Sequence, residues 1–200
     1  FKGGVLAAMV NNLIVNPGAK AVHYNLVAHE WAGHAFETGK LALVANVLRH
    51  GADTVPGTPL FSLGGHGDVE LHLQGNLAQD AQGQAVAQTG RYTSGAARVL
   101  TPATPYLPPR LRVLPVEALE AELTLAAGAR PWDRDPIDFK LLSDVAEGRG
   151  RIPDSEGESS GHPAGPHYAP TSRPFDAALW NLSDMSPRAG WASLFVAPRR

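Results

Sequence analysis

The sequence lacks cysteine, long hydrophobic runs and any marked excess of one charge. Without cysteine, disulfides, thiolate zinc sites and a cysteine nucleophile are all excluded. The absence of cysteine does not determine the cellular compartment of the protein. No run of about 18 apolar residues occurs, so we expect no membrane-spanning helix and no membrane partner. The 17 Lys and Arg nearly balance the 19 Asp and Glu, for a net charge of −2. This balance argues against nucleic acid as the partner.

Glycine and proline are abundant and unevenly placed. The 21 Gly and 17 Pro exclude a helical bundle or a coiled coil. Most glycines lie in residues 1–100 and most prolines in 101–200, and the composition changes at the proline-rich run 101–109. Such a run is typical of a linker or of a strap lying along a surface. We therefore predict a β portion in residues 1–100, followed by a strap, two helices and an irregular tail in 101–200.

Apolar residues in the first hundred positions come in short bursts that end at turn-forming residues. The bursts Val5–Val15, Leu41–Leu48 and Val69–Leu77 have the length and boundaries of strands. The segment Gly64–Asp68 is rich in glycine but lacks the residues of a phosphate-binding loop. We predict that it is a turn between strands.

An asparagine recurs at the same place in each burst. Asn12, Asn46 and Asn76 are 34 and 30 residues apart, and Val22–Leu26 has the same local form out of phase. A strand-plus-turn unit with this period can bury its apolar face by stacking into a solenoid. Asparagine suits the bend because it tolerates a left-handed backbone, and stacked amides can hydrogen-bond between rungs. The alternative is a chance alignment of three asparagines in a glycine-rich β protein.

Two helices are predicted in the second half. The first covers Pro115–Ala127 and stops at Gly128; the second covers Pro136–Glu147, with Asp135 as its N-cap. Both are short and apolar on one side, so we expect them to dock on the β portion. The apolar stripes are Val116, Leu119, Leu123 and Ala126 in the first helix, and Ile137, Leu141, Leu142 and Val145 in the second. Residues 153–161 read as a loop, and the tail to residue 200 has no assigned structure.

The segment His29–His34 approaches a metalloprotease motif without matching it. In His-Glu-x-x-His the two histidines are four residues apart, so that both reach one zinc from the same helix face. Here His34 follows His29 by five positions, about 140° around a helix. A zinc hydrolase is therefore kept only as a third hypothesis. The other histidines reproduce no ligand spacing and are expected to be satisfied locally: His23, His50, His66 and His72.

Two stretches resemble the pectate lyase family of polysaccharide lyases. In the first, Lys2-Gly3-Gly4 precedes Val10–Asn16 and Leu43–Val47, which is similar to late rungs of the lyase β-helix, where strands end in Asn-Asn-x-Ile. The second lies within residues 113–155. It is similar to a C-terminal segment of many bacterial pectate-lyase-like proteins, in which a helix ending in Ala-Gly-Ala precedes Arg-Asp-x-x-Asp and Gly-x-Gly-Arg-Ile-x-x-Ser. The resemblance covers residues 1–160.

The resemblance implies a fold and an activity. The fold is all-β: the last rungs of a right-handed parallel β-helix, with appended C-terminal helices and an irregular tail. The activity is cleavage of polygalacturonate by β-elimination, in which calcium acidifies the C5 proton and an arginine removes it. The family places that arginine and the calcium ligands before the stretch that Phe1–Gly4 resembles. We therefore expect a C-terminal piece of a longer enzyme, with no catalytic or metal-binding residue of its own and no activity alone.

Substrate-binding residues are carried over at two positions. Lys2 lies where the family often has a second basic residue that binds substrate, and Lys20 is a weaker candidate for the same cleft. The implied partner is an anionic polysaccharide, and the implied protein is secreted and monomeric. The alternative hypothesis is a non-catalytic β-helix that binds a polysaccharide or serves as a surface adhesin.

Overall fold

Short parallel strands make up most of the regular structure. A computed structural model describes residues 1–128, 131–159, 177–181 and 186–187. The strands are β1 Leu6–Val10, β2 Leu13–Val15, β3 Val22–Leu26, β4 Gly39–Val44, β5 Val47–Arg49, β6 Phe61–Gly65, β7 Val69–Gln74, β8 Leu77–Gln79, β9 Thr89–Arg91, β10 Val99–Leu100, β11 Trp180–Asn181 and β12 Ser186–Pro187. The α-helices are α1 Val116–Ala126 and α2 Pro136–Glu147, and short 3₁₀ helices cover Ala28–Trp31, Glu156–Ser159 and Ala177–Leu179.

The first ten strands form three parallel sheets. Sheet A has the order β1-β4-β7-β10, sheet B the order β2-β5-β8 and sheet C the order β3-β6-β9. Neighbours within a sheet are three strands apart along the chain, so each circuit of the backbone adds one strand to every sheet. The result is a parallel β-solenoid of about three turns. This confirms the predicted β-helix with two appended helices, and each predicted burst is a pair of strands joined by a bend.

The chain divides into two compact units. The first contains residues 1–125 and 142–152, and the second contains 126–141 and 153–200. The first unit runs through the proline-rich segment 101–109, and the domain boundary proposed there stays a prediction. In the second unit, β11 pairs antiparallel with β12, and the Trp132 and Trp180 rings lie 5.5 Å apart. The predicted irregular tail falls mostly outside the described residues.

The core of the solenoid is a stack of apolar side chains from all three sheets. In sheet A, Leu41 lies opposite Leu71 and Leu43 opposite Leu73, so equal side chains stack from turn to turn. Tyr24 and Phe61 are fully buried in sheet C. Each such side chain contributes about 1.5–3 kcal/mol by leaving water. The core therefore stabilises the stack only when successive turns are in register.

The recurring asparagines form a hydrogen-bonded ladder along the solenoid. The Asn12 side-chain amide donates to Asn46 Oδ1 over 2.7 Å, and the Asn46 amide donates to Asn76 Oδ1 over 2.9 Å. The backbone N–H of Asn12 and that of Asn46 donate to the same two oxygens. Each ladder step joins residues 34 or 30 positions apart. The regular spacing in the sequence is therefore the stacking period of the fold.

The left-handed residue of each bend precedes the ladder asparagine. Asn11, Ala45 and Gly75 have φ angles of 58°, 51° and 61°. The expectation that the ladder asparagine itself is left-handed was wrong, since its side chain is needed for the ladder and the bend is made one residue earlier. Ala45 is the unusual residue of these three, because the Cβ of alanine makes a positive φ sterically unfavourable.

Helix α1 and the residues just before it lie on the outer face of sheet A. Asn11 anchors the segment that leads into α1. Its side-chain amide donates to the Arg112 carbonyl over 2.7 Å, and its Oδ1 accepts from the Leu114 N–H over 2.9 Å. Val116 packs against a cluster formed by Ala42, Val44 and Ala45, with Ala8 and Val10 at its edge. Leu119 is fully buried. These contacts confirm that the first helix docks on the β portion.

Helix α2 matches its predicted bounds but not its predicted buried face. Asp135 caps it by accepting the N–H groups of Ile137 and Asp138. Ile137 and Leu141 from the predicted stripe are 54% and 57% exposed, so the stripe is not buried over its first half. The other two members, Leu142 and Val145, are half-buried. Regular spacing predicted the helix correctly, but the surface it covers depends on distant parts of the chain.

A polar clip holds residues 150–152 on the solenoid. Asn16 donates to Asp53 Oδ2 over 2.8 Å and to the Gly150 carbonyl over 3.1 Å. Asp53 Oδ2 also accepts the Ile152 N–H over 2.7 Å. The Asn16 hydrogen bond, followed by that of Ile152 and the charge of Arg151, lowers the pKa of Asp53. The clip therefore favours the ionised carboxylate.

None of the helices in the described residues has the length and apolar character needed to cross a bilayer.

Replacing the central ladder residue tests the role of the amide stack. Asn46→Ala is expected to lower the free energy of unfolding by about 2–4 kcal/mol, because the buried donors of Asn12 and the Met9 carbonyl lose their partner. Asn25→Ala, outside the ladder, should cost less than about 1 kcal/mol. Urea unfolding of both variants measures the difference, and equal losses would contradict the role given to the ladder.

The left-handed alanine gives a second test. Ala45→Gly removes the steric penalty of a positive φ but also a buried methyl group, so these effects, each about 1 kcal/mol, should nearly cancel. Ala42→Gly, a buried position within β4, loses the methyl group without relief and should destabilise by about 1 kcal/mol or more. Thermal unfolding compares them, and an Ala45→Gly loss as large as that of Ala42→Gly would argue against backbone strain.

Acid should release the clip at Asp53. The folded state holds the pKa of Asp53 below its unfolded value, so the contact is fully present above the ordinary pKa of about 4 and is lost as the pH falls through the folded value. Asp53→Asn removes this titration. We expect the melting temperature of the variant to fall less than that of the wild type between pH 5 and pH 2.5. Identical pH profiles would exclude the contribution of this carboxylate.

Candidate functional site on the outer face of sheet C

The outer face of sheet C carries polar and aromatic side chains. Val22 and Tyr24 point into the core, so the intervening His23 points outward. In register with His23 lie Ser62 of β6 and Gly90 of β9. This row therefore has one large side chain followed by two small residues, and other side chains fill the space above the small ones: Ser62 is buried and Pro59 lies against Gly90.

Tyr92 lies across this face. Its N–H donates to the Leu63 carbonyl over 3.1 Å and continues the register of β9. A Cβ atom at Gly64 would lie 2.8 Å from Tyr92 Cζ and 2.7 Å from Thr93 Oγ1. The glycine at position 64 is therefore required, because any side chain there would displace the phenol ring from the sheet surface.

The Tyr92 ring contacts two basic side chains of the first turn. Lys20 Nζ lies 4.5 Å from the ring centroid, which is within the range of a cation–π interaction. The His23 imidazole meets the ring edge-on, with centroids 5.8 Å apart and an interplanar angle of 89°. Since Tyr92 follows β9 and His23 lies in β3, one ring joins the third turn of the solenoid to the first.

The surroundings shift the proton equilibria of both ring residues. Burial lowers the pKa of His23, and the charges of the Phe1 α-ammonium group and of Lys20 act in the same direction. Burial raises the pKa of Tyr92. The phenol oxygen is buried and has no hydrogen-bond partner within the described part of the chain. The patch formed by Lys20, His23 and Tyr92 therefore combines a neutral imidazole, a neutral phenol and the Lys20 ammonium group near neutral pH, and the Phe1 ammonium group lies beside it, donating to the His23 carbonyl over 2.8 Å.

The two lysines predicted to bind substrate have different partners. Lys2 forms an ion pair with Glu30, and this hydrogen bond, together with the lysine charge, lowers the pKa of Glu30. Lys20 is exposed and contacts the Tyr92 ring. Phe1, next to Lys2, accepts the Asn25 N–H over 3.0 Å, so Lys2 lies beside sheet C at its first strand. The role of both lysines in substrate binding stays a prediction.

The segment that approaches a zinc motif does not form the required helix. Residues Ala28–Trp31 form a four-residue 3₁₀ helix, and Gly33 has a φ of 85°. His29 and His34 are therefore not presented by an α-helix. No group of three or more His, Cys, Asp or Glu side chains is placed to hold a metal ion among the described residues. The geometry gives no support to a zinc hydrolase.

The remaining predicted histidines have separate local partners. His50 is buried and its Nε2 lies 2.7 Å from the Thr58 carbonyl. His72 Nε2 lies 3.1 Å from Gln74 Oε1. His66 stacks on the exposed Phe36 ring, with centroids 6.0 Å apart. The solenoid therefore does not gather these side chains into one site.

Tyr92 is the site residue that the sequence analysis missed. Its contacts with His23 and Lys20 span about seventy positions, and no motif surrounds it. The one signal in the sequence is distant from Tyr92: Gly64 and Gly65 are consecutive glycines in a strand, and glycine in a strand often marks a place where another group approaches the backbone closely. The partner could be identified only after the three turns were stacked.

Comparison with known proteins gives no match: no protein-family model, curated protein or solved structure matches this chain. The fold assignment therefore rests on the observed strand pairing, and the functional hypotheses rest on the chemistry of the site and on the sequence resemblance.

Proposed function

We propose that the chain is the C-terminal part of a pectate-lyase-like enzyme that cleaves polygalacturonate by β-elimination. The observation that carries the proposal is the placement of the resembling segments. Val10–Asn16 and Leu43–Val47 occupy successive turns of a parallel β-solenoid, which is the arrangement that the resemblance requires. This observation supports the fold of such an enzyme, and the chemistry is inferred from the resemblance.

The proposed elimination needs groups from outside the described residues. Among those residues, the carboxylates and histidines form no group suited to a metal ion, so they do not fit a calcium site. We therefore assign no calcium-dependent step to this chain. The base and the calcium ligands of the proposed parent enzyme belong to the region that the family places before Phe1.

The contribution proposed for this chain is substrate binding. Lys20 offers an exposed ammonium group beside sheet C, and an ammonium group is suited to a uronate carboxylate. Lys2 would bind a uronate only by exchanging its Glu30 partner. Lys20 is therefore the better placed of the two proposed substrate-binding residues. A secreted, monomeric protein is part of the same proposal.

A non-catalytic polysaccharide-binding β-helix or adhesin is the second candidate function. It is favoured by the character of the patch on sheet C, where an ammonium, a phenol and an imidazole group lie together without a carboxylate in the contacts described. Such groups suit recognition of an acidic sugar. Binding without cleavage is what this candidate predicts.

An elimination assay separates the two candidates. The full-length parent, incubated with polygalacturonate and calcium, should generate the ultraviolet absorbance of an unsaturated uronate, and chelation of calcium should stop the reaction. The 200-residue chain alone should give no product. A folded parent that produces no absorbance would overturn the lyase proposal, and retained binding by that parent would favour the adhesin. Cleavage by the chain alone would show that the base lies within it.

A further inference from the structure

We propose that Tyr92 is a positioning residue that holds Lys20 on the outer face of sheet C, so that the two form a binding site for a carboxylate of an acidic oligosaccharide. The proposal rests on the proposed function, because it names how this part of the chain would hold a uronate unit. It adds a residue that neither the sequence motifs nor the resemblance identified.

Lys20 differs from Lys2 and Lys40 in the partner that it contacts. Lys2 pairs with Glu30, and Lys40 lies 3.6 Å from Glu70 in the neighbouring strand. Lys20 has no carboxylate partner within the described ranges, and its ammonium group lies over an aromatic ring instead. An aromatic face attracts a cation without neutralising its charge. Lys20 therefore keeps a full positive charge for an anionic ligand.

The Tyr92 ring is held in place from more than one direction. The end of the ring that carries the hydroxyl lies against Gly64, where no Cβ is tolerated, and the edge of the ring meets His23. These contacts come from two different turns of the solenoid. A flexible lysine held over a fixed ring loses less conformational freedom when it binds a ligand. The Tyr92 ring thus preorganises the Lys20 ammonium group for ligand binding.

The groups open to solvent beside the Tyr92 ring are the Lys20 ammonium group and the His23 imidazole. The small residues in the His23 row are covered, since Ser62 is buried and Gly90 lies against Pro59. A neutral imidazole can exchange hydrogen bonds with sugar hydroxyl groups. A uronate matches this set, because it combines one carboxylate with several hydroxyl groups.

The test measures binding of hexagalacturonate to the 200-residue chain by titration calorimetry, with a chelator present to exclude calcium bridging. The uncharged galactose oligomer of the same length is the comparison ligand. Lys20→Gln and Tyr92→Leu should each weaken binding of hexagalacturonate about tenfold, the effect of losing one charge-assisted contact. Tyr92→Phe keeps the ring and should stay within about threefold of the wild type. Lys40→Gln, at a paired lysine, should leave the affinity unchanged.

Two further variants distinguish positioning from a general structural role. The double variant Lys20→Gln with Tyr92→Leu should bind no more weakly than either single variant, because Tyr92 is proposed to act through Lys20. Lys20→Arg keeps the charge and should retain most of the affinity. Thermal unfolding identifies variants that have lost the fold, and the comparison of Lys20→Gln with Lys20→Arg does not depend on the Tyr92→Leu variant.

The proposal is overturned if the wild type does not bind hexagalacturonate, if it binds the neutral oligomer equally well, or if a folded Tyr92→Leu variant keeps its affinity. Failure here is distinguishable from failure of the proposed function. Cleavage by the parent without binding at this patch would leave the lyase assignment intact and remove the site. Binding through Lys20 and Tyr92 by a parent that does not cleave would retain the site and remove the lyase assignment.

Discussion

The amide ladder of Asn12, Asn46 and Asn76 is the constraint on which the rest of the structure depends. Each amide must meet the next one at hydrogen-bond distance, so successive turns cannot slip along one another. The fixed register brings like apolar side chains together in the core, as Leu41 and Leu71 show. A slip of one residue would turn every strand over and expose its buried side chains. Hydrogen bonding and core packing therefore favour the same alignment.

The outer faces of the solenoid are used differently. Sheet A is covered by α1, through the apolar cluster with Val116. Arg49 of sheet B is bound to the appended helices, since it donates to the Glu120 carboxylate and to the Val145 carbonyl. On the face of sheet C, by contrast, Lys20 and His23 remain exposed. The covered faces stabilise the stack. Recognition of a ligand is proposed at the exposed side chains of Lys20 and His23.

Much of the local structure could be predicted because its causes are local. The bounds of α2 follow from the Asp135 cap and the stop at Gly148, where φ is positive. The ladder could be predicted from the recurrence of asparagine. The buried face of α2 could not, since Ile137 has the spacing of a buried residue and is exposed. Tyr92 was missed for the same reason, because its partners lie in another turn.

The sequence by itself determined the strands of the three apolar bursts, the helix ends, the period of the repeat and the balance of charge, whereas Gly64 and Gly65, predicted to lie in a turn, end β6. Each of the features so determined depends on residues close together along the chain or on a spacing that recurs. Only the tertiary structure decided which lysine meets a carboxylate and which meets an aromatic ring: Lys2 contacts Glu30, and Lys20 contacts Tyr92. The physical reason is that stacking places side chains about 5 Å apart between neighbouring strands, whatever their separation in the sequence. A lysine's partner is therefore set by the register of the turns.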